Sequence, residues 1–168
     1  MHPPRLLALT TALALCASVA TAQSPQTTAE LKNATGQAIG KVTLVEAPKG
    51  VLLKVEVKGL APGWHGLHFH EKADCSKADF TSAGAHTSHG GDRVHGLLNP
   101  KANETGDLPN IYVAADGTGS TEVFSSLVTL GELKDADGSA VLIHAGADDH
   151  QSQPIGGAGA RVACAEVR

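Results

Sequence analysis

The chain has 168 residues, 42% of them hydrophobic, and a formal charge of −4 from 13 basic and 17 acidic side chains. That suffices for one core and is too little for two. A nucleic-acid binder would carry a basic stripe, and this mildly acidic balance argues against one. Nineteen glycines and nine histidines stand beside one Trp, one Tyr and three Phe, which points to many short strands and raises the question of metal.

Residues 1–22 read as a secretory signal peptide. Arg5 supplies the positive region, residues 6–20 form an apolar run broken only by Thr10, Thr11 and Ser18, and Ala20-Thr21-Ala22 is an A-x-A cleavage signal. A run of about 15 apolar residues is short for a membrane span. Cleavage after Ala22 removes Cys16 and leaves Cys75 and Cys164; an even count in an oxidising compartment reads as one disulfide. The remainder, 23–168, reads as a single domain without a membrane anchor.

Residues 23–28 read as a polar, disordered tail. A strand is expected over 40–47, then a hairpin loop at Pro48-Lys49-Gly50. Residues 53–58 alternate strictly, with Leu53, Val55 and Val57 on one face and Lys54, Glu56 and Lys58 on the other. Residues 64–70 form the next strand. Residues 71–110 show neither strand nor helix pattern, and a loop of about 40 residues in a compact domain is usually functional or stapled. Strands resume at 111–114, 121–124, 126–130 and 141–144. A Gly-rich second loop spans 145–160, and 161–167 closes the sheet. The count is eight strands and no helix, an antiparallel β-sandwich or barrel with two long loops.

Side chains alternate along a strand, so in Trp64-His65-Gly66-Leu67-His68-Phe69-His70 the imidazoles of His68 and His70 share a face and can bind one metal. His65, Leu67 and Phe69 point the other way, and His65 is expected to be a buried histidine bonded to backbone. His86, His89 and His95 lie in the long loop with Asp107, and His144 ends a late strand. Imidazole suits copper and zinc, and a neighbouring carboxylate suits zinc. These residues support a metal site of roughly four to seven ligands. His150 reads as a solvated loop histidine.

Five segments resemble the copper/zinc superoxide dismutases of the bacterial exported branch. They are Gly66-Leu67-His68-Phe69-His70-Glu71, Ser82-Ala83-Gly84-Ala85-His86, Gly106-Asp107-Leu108-Pro109-Asn110, the stretch from Ile143-His144 to Asp148-Asp149, and the stretch from Gly157 to Arg161-Val162-Ala163-Cys164. They stand in the family's order. The resemblance implies an eight-stranded antiparallel Greek-key barrel with copper on His68, His70, His86 and His144. His86 would bridge to a zinc held also by His95 and Asp107. Asp148 would hydrogen-bond one copper and one zinc histidine, Arg161 would hold the superoxide anion, and Cys75 would pair with Cys164.

One position departs from the family, which usually has a histidine three residues before the zinc aspartate; here it is Glu104. Three alternatives stand: Glu104 as fourth zinc ligand, a weakened or empty zinc site, and, behind these two, His89 in the vacancy. The resemblance implies a periplasmic or secreted enzyme, monomer or homodimer, that converts superoxide to dioxygen and hydrogen peroxide as copper alternates between Cu(II) and Cu(I). The alternative is an exported copper-binding or buffering protein on the same fold that does not turn over.

Overall fold

A computed structural model describes residues 23–168; the expected signal peptide lies outside the described residues. Nine antiparallel strands form one sheet: β1 (Gln26–Asn33), β2 (Ala38–Ala47), β3 (Gly50–Lys58), β4 (Gly63–His65), β5 (Leu67–His70), β6 (Ile111–Val113), β7 (Thr118–Ser125), β8 (Ser139–His144) and β9 (Arg161–Val167). Their order across the sheet is β4-β6-β7-β3-β2-β1-β9-β8-β5. The two ends of that row, β4 and β5, are consecutive in the chain, so the sheet curls until its ends meet at Gly66 and the barrel nearly closes.

This closure accounts for one difference from the expected eight strands. The segment 64–70 is two strands, because its first half pairs with β6 and its second with β8. Glycine is required at the corner: a Cβ on Gly66 would stand 2.8 Å from the Ala158 Cβ and 3.4 Å from that of Asp148. A second correction concerns the N-terminus. Residues 26–28 belong to β1, not to a disordered tail, and pair with Thr43, Leu44 and Val45. The inner face of β1 is Thr27, Ala29 and Leu31, whose first two members are too small and polar to give a hydrophobic period. A third is the expected strand over 126–130. β7 stops at Ser125, and Leu130–Leu133 is a helical turn whose N-cap Thr129 forms a capping box with Glu132. That Thr-x-x-Glu signal was present in the sequence.

The strict alternation of β3 is realised. Val51, Leu53, Val55 and Val57 are buried in the main core with Leu67 and Phe69 of β5, while Lys54 and Glu56 pair outside with Glu122 and Lys41. Each fully buried side chain of this kind contributes roughly 1.5–3 kcal/mol, whereas exposed ion pairs contribute about 1 kcal/mol at most. A smaller apolar cluster of Phe80, Ala83, Ala140, Leu142 and Cys164, with Cys75 against it, lies beneath the long loop. Cys75 and Cys164 are disulfide-bonded across 89 positions. In the chain-entropy account a loop of that size is worth about 4–5 kcal/mol. The cross-link ties the start of the long loop to the last strand.

The long loop, 71–110, contains only one 3-10 turn, Thr81–Ala83, and lies back along β5. Single bridges set Asp107 opposite His68 and His86 opposite His70. Phe69 N–H donates to Gly106 O and Thr87 N–H to Phe69 O, both at 2.9 Å. Arg93 reaches the His86 carbonyl and Glu71. In this way a segment without regular structure is held in register with the strand that carries two histidines.

Candidate metal centre

His68 and His70 project from β5 on the face opposite Leu67 and Phe69, as the alternation requires. His144 ends β8 at an irregularity: Ile143 pairs with Ala163 and His144 with Arg161, leaving Val162 unpaired. Such a bulge re-aims the side chain beside it. His86 arrives from the loop. All four rings are buried, and one nitrogen from each lies within 4.8 Å of the others.

Each ring has one nitrogen fixed by an acceptor. His68 Nε2 donates to Asp148 Oδ2 at 2.7 Å, His70 Nδ1 to Gly84 O at 3.0 Å, and His144 Nδ1 to Gly159 O at 3.0 Å. His86 Nδ1 faces Glu104 Oε2 at 2.7 Å and Asp107 Oδ1 at 3.2 Å. These bonds select the tautomers that leave the opposite lone pairs bare. The opposite atoms, His68 Nδ1, His70 Nε2, His86 Nε2 and His144 Nε2, are buried without any hydrogen-bond partner. Buried polar atoms are normally paired, so four orphaned nitrogens converging on one point fit a metal ion that suits imidazole, as copper does. Burial holds the pKa of His68 down at about 3 and that of His144 at about 4, and His70 also lies well below its ordinary value. The three rings stand as neutral donors.

A second group lies on the other side of His86. Around His86 Nδ1 and His95 Nδ1 stand two carboxylate oxygens. Glu104 Oε2 is 2.7 and 3.2 Å from these nitrogens, and Asp107 Oδ1 is 3.2 and 2.8 Å away. His68 also falls within 4.8 Å of His86, His95 and Asp107. Its Nε2 is committed to Asp148, however, and its Nδ1 belongs with the first group, so Glu104 completes the second set better. Two imidazoles and two carboxylates suit zinc. Burial opposes charge on His86 and His95, but hydrogen bonds to Asp107, with Glu104 for both and Asp148 for His95, outweigh it. The pKa of His86 is raised and that of His95 reaches about 11. Burial likewise opposes ionisation of Glu104 and Asp107, and the bonds from His86 and His95 overcome it, holding both carboxyls below their ordinary values.

Asp148 joins the two groups. Its Oδ2 accepts from His68 and its Oδ1 accepts from His95 Nε2 at 3.1 Å and from the His150 backbone N–H at 2.6 Å. The carboxylate packs so closely on Gly156 (φ +60°) that a Cβ there would lie 1.7 Å from Oδ1. Arg161 donates to Phe80 O and Gly84 O, each at 2.6 Å. Gly84 O is also the acceptor for His70, which sets the guanidinium beside the four-histidine group.

The sequence-derived ligand candidates thus converge, with one exception. His89 is two-thirds exposed, with Nδ1 3.8 Å from Glu132 Oε1, away from both groups. His65 is bonded to backbone as expected, at His144 O and Ala61 O. The sequence reading missed His150: it is not a solvated loop side chain but stands largely buried beside Asp148, 3.6 Å from Oδ2. No spacing signal would have found it, because its position depends on how two irregular loops meet.

The profile of the family described as copper/zinc superoxide dismutase (SODC) matches residues 38–167. A Cu-Zn superoxide dismutase of Caulobacter vibrioides is 57% identical over 147 residues, covering 84% of each chain. A second, from Aquifex aeolicus, is 41% identical over 160 residues, covering 92% of this chain and 93% of its own. Among solved structures, the Cu/Zn superoxide dismutase from Brucella abortus superposes with a TM-score of 0.73 at 33% identity, covering 86% of this chain and all of that one. A SOD-like protein from Bacillus subtilis does so at 0.74 and 33%, covering 84% and 97%. A nine-stranded barrel with paired histidine and histidine–carboxylate groups, matched by this profile over most of its length, belongs to the copper/zinc superoxide dismutase family.

Proposed function

We propose that the chain is a superoxide dismutase that binds copper on His68, His70, His86 and His144 and zinc on His86, His95, Glu104 and Asp107. The single observation behind the reading is the set of four buried ring nitrogens without partners, aimed at one point. Copper supplies one-electron chemistry in both directions when bound, and zinc, which has no redox change, supplies charge and rigidity.

The protein's own residues do the rest. Arg161, always charged, draws a small anion to the four-histidine group, and its two carbonyl contacts fix where that charge sits. His86 is shared between the groups, its bare Nε2 turned to the other three histidines and its Nδ1 to the carboxylates of Glu104 and Asp107. Asp148 keeps His68 and His95 in a fixed mutual orientation, so that the groups on either side of His86 act as one unit. Residues 1–22 act as the export signal and 23–168 as the mature domain. The disulfide suits the periplasm or another oxidising space outside the cytosol.

The deciding measurement is the rate of superoxide loss on the mature, copper-loaded protein, with and without zinc. Catalysis well above that of free protein lacking copper is the expected result. Copper bound with no turnover would replace this reading by that of a copper-binding protein.

Zinc uptake should also be proton-linked. Without metal, His95 with a pKa of about 11 is protonated at neutral pH, and binding must displace that proton. Acid therefore weakens zinc binding, and alkali strengthens it up to that pKa. Each proton displaced changes the apparent affinity roughly tenfold per pH unit. Zinc titrations between about pH 6 and 8 in a weakly chelating buffer would show this slope; a flat profile would contradict it.

A further inference from the structure

Four donors surround the Asp148 carboxylate, and only three make hydrogen bonds to it. The fourth is the His150 ring. Asn110 takes the Asp148 backbone at both ends: its Oδ1 accepts from Asp148 N–H at 2.9 Å and its Nδ2 donates to Asp148 O at 2.8 Å. The orientation of the amide is thereby settled, and its Nδ2 also lies 3.2 Å from His150 Nε2. An amide nitrogen can only donate, so His150 Nε2 accepts. The ring proton then sits on Nδ1, which is buried, lacks a hydrogen-bond partner and stands 3.6 Å from Asp148 Oδ2.

The backbone at His150 is unusual as well. Its φ is +60°, a left-handed conformation rare outside glycine. Its carbonyl accepts from Leu98 N–H at 3.1 Å, tying the late loop to the loop that carries His95. A strained residue held from both sides, with a donor aimed at the link between two metal groups, is an arrangement the surrounding fold must maintain.

We propose that His150 is a positioning residue: with Nε2 held by Asn110, its Nδ1–H faces Asp148 Oδ2 and fixes the plane of the carboxylate that orients His68 and His95. This rests on the ligand assignment proposed above. At 3.6 Å the contact is too long for a hydrogen bond, so it acts as an oriented dipole on an ionised group. Loss of an outer-shell partner typically costs 10–100-fold in metal affinity. One step further out, the effect should be roughly 3–10-fold, below that range.

The test is the rate at which the copper- and zinc-loaded protein gives up zinc to a chelator, together with the visible spectrum of Co(II) placed in the second group. His150→Leu keeps bulk and the strained backbone but removes the donor. His150→Gly removes the donor and relieves the backbone. His150→Asn tolerates the left-handed conformation and returns an N–H near the place of Nδ1. Zinc release should accelerate roughly 3–10-fold in the Leu and Gly variants, with a changed Co(II) spectrum in both, and stay within about twofold in the Asn variant. Thermal stability should move in opposite directions for Leu and Gly, which separates the ring's role from backbone strain. Zinc release that follows stability, or that is unchanged in the Leu variant, would overturn the role of His150 alone. A wild-type protein that takes up no second metal would overturn the ligand assignment and this role with it.

Discussion

Arg161→Ala should leave copper stoichiometry unchanged while slowing superoxide loss by roughly 10-fold or more, the lower end of what a focused charge contributes to the capture of an opposite charge. The guanidinium is not a copper-binding group. It is held by the carbonyls of Phe80 and Gly84, and of its five N–H donors these two bonds leave others to face an incoming anion. Its charge reaches the four-histidine group: burial is the main cause of the lowered pKa values of His70 and His144, and Arg161 adds to both. The remaining activity of the Ala variant should also depend less on salt, because the screened attraction has been removed. Arg161→Lys keeps the charge but lacks the planar fork that bridges two carbonyls, so it should fall between. Metal content by elemental analysis and rate over a salt series would check this. An Ala variant with full copper and an unchanged rate would deny Arg161 its part in holding the substrate.

Half of the site was legible because period two in a strand is a strong geometric rule. His68 and His70 had to share a face once Leu67 and Phe69 were assigned to the core, and both pairs lie where that rule puts them. The loop histidines could be counted as imidazole donors from the sequence, but their division between two groups was legible only through the family's motif order, since nothing in the 71–110 composition says that the segment doubles back on β5. What fixes it there is a handful of backbone bonds and Arg93, which leave no pattern in the residue types. The strand count failed for a similar reason. A barrel corner at Gly66 does not interrupt the alternation of Trp64 to His70, and β1 carries an inner face of Thr27, Ala29 and Leu31, in which only Leu31 is a large apolar residue. His150 was misread because exposure in a loop is set by its partner loop.

Glu104 stands where the resemblance led one to expect a histidine, and the structure brings its carboxylate to the second group while leaving His89 outside. Glu104→Ala is expected to lower zinc affinity by about 100-fold or more, since loss of even an outer-shell partner reaches that figure, and to leave copper binding in place. Without metal, the carboxylates of Glu104 and Asp107 both face His86 Nδ1 and His95 Nδ1, and His95, with a pKa of about 11, carries a proton at neutral pH. Removing one carboxylate leaves His86 and His95 sharing Asp107, so the His95 proton that zinc must displace is held less tightly and the pH at which uptake levels off should move down from about 11. Glu104→His offers a neutral nitrogen in place of the oxygen and should retain zinc, but with one negative charge fewer around the ion. The Ala and His variants therefore separate the need for a fourth donor from the need for its charge. Competitive zinc titration of the wild type and both variants would read the two effects apart. Equal affinity across all three would remove Glu104 from the ligand set and return the site to three protein donors, His86, His95 and Asp107.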